Sequence, residues 1–365
     1  MRRVSLLLLS LALAGCAGAP PSGPDQRSTP NPEAAAQQAR TFATIATTNS
    51  WGNYGEQFTR FCEKHFGFDC NRPERSKGED LLSAQEIQAW DAEKNNPQSV
   101  LADIGSPFID QAAEAGILAD YQPPNASLLP EGMYGDGWVT TFVGVPSWAV
   151  NVGFLESRNI PVPETWADLA DPVYAGMVGL NRVGVSGGGT WSFVAMNLAA
   201  GGTMDDFGPG LEYGRRLLPN IGQQATMDTF ERGEVPIWIR YDFNHIANMA
   251  TFEERGIDYR IVIPSDGSVY APSVLMMNRY DTGHHDFAKM FMEWVLTDEG
   301  QAIFAKFGAR PIRTVVGDPP LEIPAEARAN WLPDDWYANV QPVDFTKIDS
   351  DAIAEMWENE VVGGG

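Results

Sequence analysis

The densest group of residues able to bind or react lies between Asn181 and Trp191. A β-rich run from Gly176 to Leu180 enters this stretch and a helical pattern leaves it from Ser192, so the chain turns from strand to helix on serine and glycine. Backbone N–H groups at such a turn lack partners and sit at the positive end of the helix dipole, which makes a socket for an anion. Ser186 and Thr190 bring hydroxyls, while Gly187, Gly188 and Gly189 let the backbone approach a ligand closely. Arg182 adds a charge-assisted contact. The competing reading is a glycine-rich linker with a solvated arginine.

Gly184-Val185-Ser186-Gly187-Gly188 also fits the G-x-S-x-G pattern, in which a strained turn exposes a nucleophilic serine. A hydrolase needs a histidine and an acid further on, and His245, His284 and His285 are the only histidines beyond Ser186. His284 and His285 follow Asp281 in a polar turn and read as solvated, so Ser186 is expected to donate a hydrogen bond rather than attack.

A second group closes the apolar run Pro236 to Ile239. Tyr241 and Asp242 stand at the end of that strand beside Arg240, where Asp242 could accept from a sugar hydroxyl or an ammonium. Trp51, Trp138 and Trp191 have rings that stack on sugars or enclose cations, although such tryptophans more often fill cores. Cys62 and Cys70 flank His65. Three ligands in so short a span without a fourth argue against a metal site, leaving a disulfide or a pair of buried thiols.

The elements that position these groups alternate. Thr41 to Thr47 reads as a buried strand, Thr48 to Asn53 as its loop, and Tyr54 to His65 as an amphipathic helix burying Phe58, Phe61 and Cys62. Ser83-Ala-Gln-Glu86 reads as a capping box opening a helix, and Val100 to Ile104 as a strand tipped by Gly105 and Ser106. Thr165 and Asp168 form a second capping pair. Alternating strands and helices give an α/β fold with parallel pairing. The crossing into a second unit is placed at Gly144-Val-Pro146, and Ser273 to Met277 is a return. Domain limits are accordingly 1–15 leader, 16–38 tether, 39–143 with 278–365 as the first lobe, and 144–277 as the second.

Arg2 and Arg3 followed by the apolar run Val4 to Leu13 form an export leader too short to span a bilayer. Its end, Leu13-Ala-Gly-Cys16, resembles the bacterial lipobox, which implies lipidation at Cys16 and anchoring in the cell envelope. Ala17 to Gln38, rich in Pro, Ala, Ser and Gly, reads as a flexible tether. Export favours the Cys62–Cys70 disulfide. The net charge of −23 argues against nucleic acid and against electrostatic docking on anionic lipid. The remaining chain, roughly 325 residues, exceeds one ordinary core and predicts two lobes.

Several stretches in order resemble the extracytoplasmic solute-binding proteins of ABC importers, in the group that includes ferric-ion, polyamine, thiamine, phosphonate and hexose-phosphate binders. They are Gly116 to Tyr121, Pro163 to Pro172 with Val173 to Gly176, Ser186 to Gly189, Ile263 to Gly267, and Thr297 to Gln301 with Ala309 to Arg313. The resemblance implies a two-lobed type II periplasmic-binding-protein fold that closes on a ligand between its lobes. It implies no cofactor and no catalysis, and partners that are a small solute, a permease and an ATPase, with the receptor a monomer. Under that architecture Thr48, Asn49, Ser50, Trp51, Ser106, Trp138, Tyr241, Asp242 and Tyr270 join Arg182 and Ser186 to Trp191 around the cleft. Ferric binders of the group place adjacent tyrosines near Tyr241. Asp242 and Phe243 stand there instead, which disfavours iron. The glycine socket and Arg182 favour a phosphate, phosphonate or sugar phosphate, with a polyamine, thiamine or other cationic amine as the alternative.

Overall fold

The computed structural model describes residues 28–77 and 81–364. The leader, Cys16 and the tether as far as Arg27 lie outside the described residues. The end of the expected tether is ordered: Pro32–Gln38 forms helix α1, with Asn31 Oδ1 accepting from the N–H groups of Glu33 and Ala34. Proline in the first turn and three alanines favour that helix. It docks on His285–Trp294, where Asn31 N–H donates to Asp286 Oδ1 at 2.9 Å and Phe287 N–H donates to Gln38 Oε1 at 2.9 Å.

Thr44–Ile45 (β1), Tyr54–Phe66 (α2), Ser76–Lys77 (β2), Ser83–Ala92 (α3) and Leu101–Gly105 (β3) alternate, with β1 parallel to β2 and β3. Tyr134–Gly135 (β4) folds against Trp138–Gly144 (β5). The chain then leaves this sheet across Val145. Pro146–Asn151 (β6), Val178–Gly179 (β7), Ile237–Tyr241 (β8) and Tyr259–Val262 (β9) make a second sheet in the order β7-β8-β6-β9. Helices Gly187–Ala199 (α4), Gly208–Leu217 (α5) and Asp242–Glu254 (α6) accompany it. The chain returns through Ser268–Val269 (β10) into Ala271–Met277 (β11), which is antiparallel to both β3 and β5. Helices His285–Trp294 (α7) and Asp298–Lys306 (α8) then lead to Arg310–Pro311 (β12) on β5.

The chain leaves the first sheet at Val145, and its return precedes the expected limit at residue 277. β11 was expected in the second lobe up to residue 277, yet all seven of its residues are buried within the first sheet. Its run of Val, Leu and Met suits a central strand covered on both faces, and the turn back falls near Tyr270. The C-terminal segment also departs from the expected assignment of 278–365 to one lobe. Val340–Gln341 (β13) pairs with β10, and Ser350–Met356 (α9) leads to Trp357, whose ring meets Phe193 of α4 edge-on at 5.4 Å.

Apolar spacing explains the packing of α2. Phe58, Phe61 and Cys62 share its buried face, and Phe58 stacks on Phe291 of α7 with ring centroids 4.2 Å apart. Cys62 and Cys70 are bonded, with their Cα atoms 5.8 Å apart. One of the two expected capping boxes forms: Thr165 Oγ1 accepts from Asp168 N–H at 2.9 Å, and Asp168 Oδ2 accepts in return from Thr165 N–H. In α3 the helix instead starts one residue earlier, from Leu82, whose N–H donates to Gln85 Oε1. That places Ser83 inside the helix and Glu86 against the core, 3% exposed.

Candidate functional site

The C-terminal ends of β1, β2 and β3 bring the loops that follow them to one edge of the first sheet, where α4 and the end of β8 meet them. Loop tips beyond parallel strand ends are the usual place for ligands in open α/β sheets. On the first side stands Asp103 of β3, 4% exposed. Its carboxylate accepts from Trp51 Nε1 at 2.9 Å, Tyr54 Oη at 2.7 Å and Ser273 Oγ at 2.5 Å. Burial pushes Asp103 up to about 6 against the pull of those three donors. Glu86 is raised well above its ordinary value by burial and by Asp103, and its Oε2 has no hydrogen-bond partner.

Trp51 continues across the seam, edge-on to Phe243 of α6 with centroids 5.3 Å apart. Gly105 and Gly187 touch backbone to backbone: a Cβ on Gly105 would lie 2.7 Å from Gly187 Cα. Ala84 N–H donates to Val185 O, and Trp191 Nε1 donates to Ser106 Oγ at 3.3 Å. The two sheets' loops are thus in direct contact along this line.

Among the described residues, the Gly187 and Gly188 N–H groups at the start of α4 have no hydrogen-bond partners. The Tyr241 ring lies beside Gly188, with Cε2 3.9 Å from where a Cβ would stand, and the Asn181 side-chain amide lies 3.5 Å from the same point. Tyr241 is 9% exposed, and its side chain makes no hydrogen bond among the described residues. Burial and the neighbouring Asp103 hold its hydroxyl protonated well past its ordinary range.

The predicted residues divide into those at this seam and those elsewhere. Trp51, Ser106, Ser186, Gly187, Gly188, Trp191 and Tyr241 come together there, and Gly189 is buried against the Arg182 carbonyl. The hydroxyls expected to face a ligand are engaged within the turn. Ser186 Oγ accepts from Gly189 N–H at 3.0 Å, while Thr190 Oγ1 donates to Ser186 O and accepts from Gly184 N–H. Trp191 is fully buried, as is Ser106, which also donates to Pro272 O at 2.8 Å.

Arg182 is exposed and has no ion pair among the described residues, and Asn49 and Ser50 are exposed beside a half-buried Thr48, with Asn49 Oδ1 accepting from Arg75 at 3.0 Å. Asp242 is 1% exposed, and its oxygens accept from Val145 N–H and Tyr337 Oη, which ties it to the crossing rather than to the open seam. Tyr270 lies at that crossing too, packed near Val145 and Tyr337. Trp138 is misplaced by the sequence reading. It begins β5 opposite Met276, whereas the seam lies at the other end, where Gly144 pairs with Ala271.

Asp103 and Glu86 were not foreseen. An acid inside an apolar strand and another inside a helix were the available signals. Nor is His284 solvated: its Nδ1 pairs with Asp281 at 2.8 Å and its Nε2 meets Thr41 Oγ1 at 3.1 Å, while His285 Nε2 meets Asn278 O. Ser186 bonds to no histidine.

Residues 99–339 match the family described as bacterial extracellular solute-binding protein. This chain belongs to that family. It is similar in structure to the periplasmic binding protein AfuA from Actinobacillus pleuropneumoniae, solved with fructose-6-phosphate bound. The two are 20% identical, with 88% of this chain and 98% of that one covered and a TM-score of 0.65. A ferric binding protein from Campylobacter jejuni is 16% identical over 87% of this chain and 98% of its own, with a TM-score of 0.63. These neighbours show the fold, the two-lobed α/β type II architecture expected from the sequence.

In sequence, an uncharacterized protein of Haemophilus influenzae is 28% identical over 237 residues, 60% of this chain and 64% of the relative. A sulfate-binding protein of Synechocystis is 27% identical over 169 residues, 44% of this chain and 46% of the relative. The chain thus spans less than two thirds of the length of these curated relatives.

Proposed function

We propose that the chain is the solute receptor of an ABC importer and that it captures a small organophosphate, phosphonate or sugar phosphate at the seam between its two lobes, without chemistry on the ligand. The observation that carries this reading is the pair of N–H groups of Gly187 and Gly188, partnerless among the described residues, at the head of a 13-residue helix, beside the Tyr241 ring and the Asn181 amide. Such groups suit a phosphoryl oxygen without needing the Ser186 and Thr190 hydroxyls, which the turn itself uses. Arg182 is exposed and long enough to swing toward an anion at the rim. Trp51, fixed by Asp103, supplies the wall for the uncharged part of the solute.

The lipobox-like end of the leader and the family membership support the remaining parts of this reading. A lipid at Cys16 holds the receptor at the periplasmic face of a membrane, and a permease with its ATPase takes the solute from the closed monomer.

Glu86 favours a second reading, an amine-bearing solute. Its buried, partnerless carboxyl oxygen next to Asp103 would gain from an ammonium group. Thermal-shift titration with sugar phosphates, alkylphosphonates, sulfate, polyamines and thiamine separates the two. Stabilisation by phosphorylated compounds supports the anion site, and stabilisation by polyamines alone would remove it.

A further inference from the structure

Alternation along β8 sends neighbouring side chains to opposite faces of the second sheet. Ile237, Ile239 and Tyr241 join the large core that includes α4, while Trp238 joins Phe230 and Phe252 on the other face. Arg240 shares that second face. Its guanidinium lies over the Trp238 ring, 5.3 Å from the centroid, and the His245 ring of α6 meets the same tryptophan edge-on at 6.4 Å.

Neither group has a charged partner among the described residues, and the His245 ring has only a weak contact with the Ser147 backbone. His245 is fully buried, and neither ring nitrogen makes a hydrogen bond of good geometry. Arg240 is half-buried, and among the described residues no carboxylate pairs with it. The contrast with the chain's other sequestered arginines is sharp. Arg75 donates to Thr47 O, Thr47 Oγ1 and Asn49 Oδ1, and Arg310 donates to Asp334.

Buried polar groups are nearly always paired, and a cation without a counter-charge is the costlier exception. In a chain with 48 acids and 25 Lys and Arg, the absence of an acid here is the more telling. Burial pushes Arg240 down to about 10. Burial first and Arg240 second push His245 down to about 3 against a weaker upward pull from the Ser147 backbone, so His245 is a neutral ring with one N–H to donate.

We propose that this face of β8 carries an anion site separate from the α4 turn, in which Arg240 and the His245 N–H together hold a small oxyanion, a phosphate or a carboxylate, beside Trp238. The guanidinium fork matches two oxygens of such a group, and the imidazole donor reaches a third or shares one. The site stands on residues that the cleft reading does not use.

Nitrogen-15 NMR of the folded protein tests it, with inorganic phosphate and acetate as probes and chloride at matched ionic strength as the control. Saturable shifts of the His245 ring nitrogens and the Trp238 indole with phosphate or acetate, absent with chloride and abolished in Arg240→Met, are expected. Arg240→Lys should weaken them by at least several-fold without abolishing them. Arg240→Met should also be at least as stable as the parent in anion-free buffer, because it removes an unpaired charge. His245 and Trp238 signals that stay still while the Gly187 and Gly188 amides move would overturn this site and leave the cleft reading standing. Movement of the first pair alone would support it and count against the cleft reading.

Discussion

Asp103 shows what single residues contribute and what hides them. An acid inside the apolar run Val100 to Ile104 reads as one more strand position, because its three donors come from residues 52, 49 and 170 positions away. Only the fold brings Trp51, Tyr54 and Ser273 around it. Tyr241, by contrast, was legible as the polar end of a buried strand, while the neighbouring Asp242 was legible in place but not in use. The raised pKa of Asp103 has a definite sign. The folded chain keeps a proton that the unfolded chain loses between about 4, near the ordinary value of 3.8, and about 6. Its contribution is therefore largest below that window and is lost as pH rises through it. Asp103→Asn should flatten this part of the pH dependence, by on the order of 2 kcal/mol between pH 4 and pH 7. Urea unfolding of both forms at the two pH values measures it, and an unchanged difference would refute the assignment.

Among the elements, the order strand, turn and helix at α4 was legible because Ser, Gly and the apolar pattern after them act locally, but the helix begins at Gly187 rather than Ser192, so the three glycines form its first turn. Which polar groups would remain available was not legible. Ser186 caps the helix and Thr190 braces Gly184, whose φ of +74° needs glycine and whose position is pressed against Ala354 of α9. The phase of β5 was similarly hidden, since nothing in Trp138 to Val143 says which end of the strand faces the other sheet. Ser186→Ala removes one cap bond and Thr190→Ala removes two more contacts in the same turn. Together they should lower the unfolding free energy by about 2 kcal/mol. Equilibrium denaturation checks this, and full stability in the double variant would show that the hydroxyls are not structural. If the variant folds, affinity for the solute should fall by less than stability implies, since the N–H groups of Gly187 and Gly188 remain.

At the scale of the whole molecule, the two large sheets were foreseeable from length and alternation, whereas the two-stranded β10–β13 pairing and the path of the C-terminal segment were not. Its short helical pieces with Pro and Trp carry no signal of a distant partner, yet Trp357 packs against Gly214 and Phe193 of the second half, and Gln111 of the first half donates to Asp351. In the proposed closing of the two halves the contact equally invisible in sequence is the approach of Gly105 to Gly187. Both sides of that contact are backbone, so no side chain can rotate away from an added methyl group, and the 2.7 Å separation is too short to survive. Gly105→Ala should hold the two halves apart while leaving each sheet intact, because Gly105 has a φ of −63° that alanine adopts freely. Disfavouring the closed state by about 1.4 kcal/mol would weaken solute binding tenfold. Small-angle scattering of the parent with solute should show a smaller radius of gyration than without it, and the variant should lose most of that change while unfolding at nearly the parent's temperature. Compaction and affinity that match the parent's would show that the halves close without this contact.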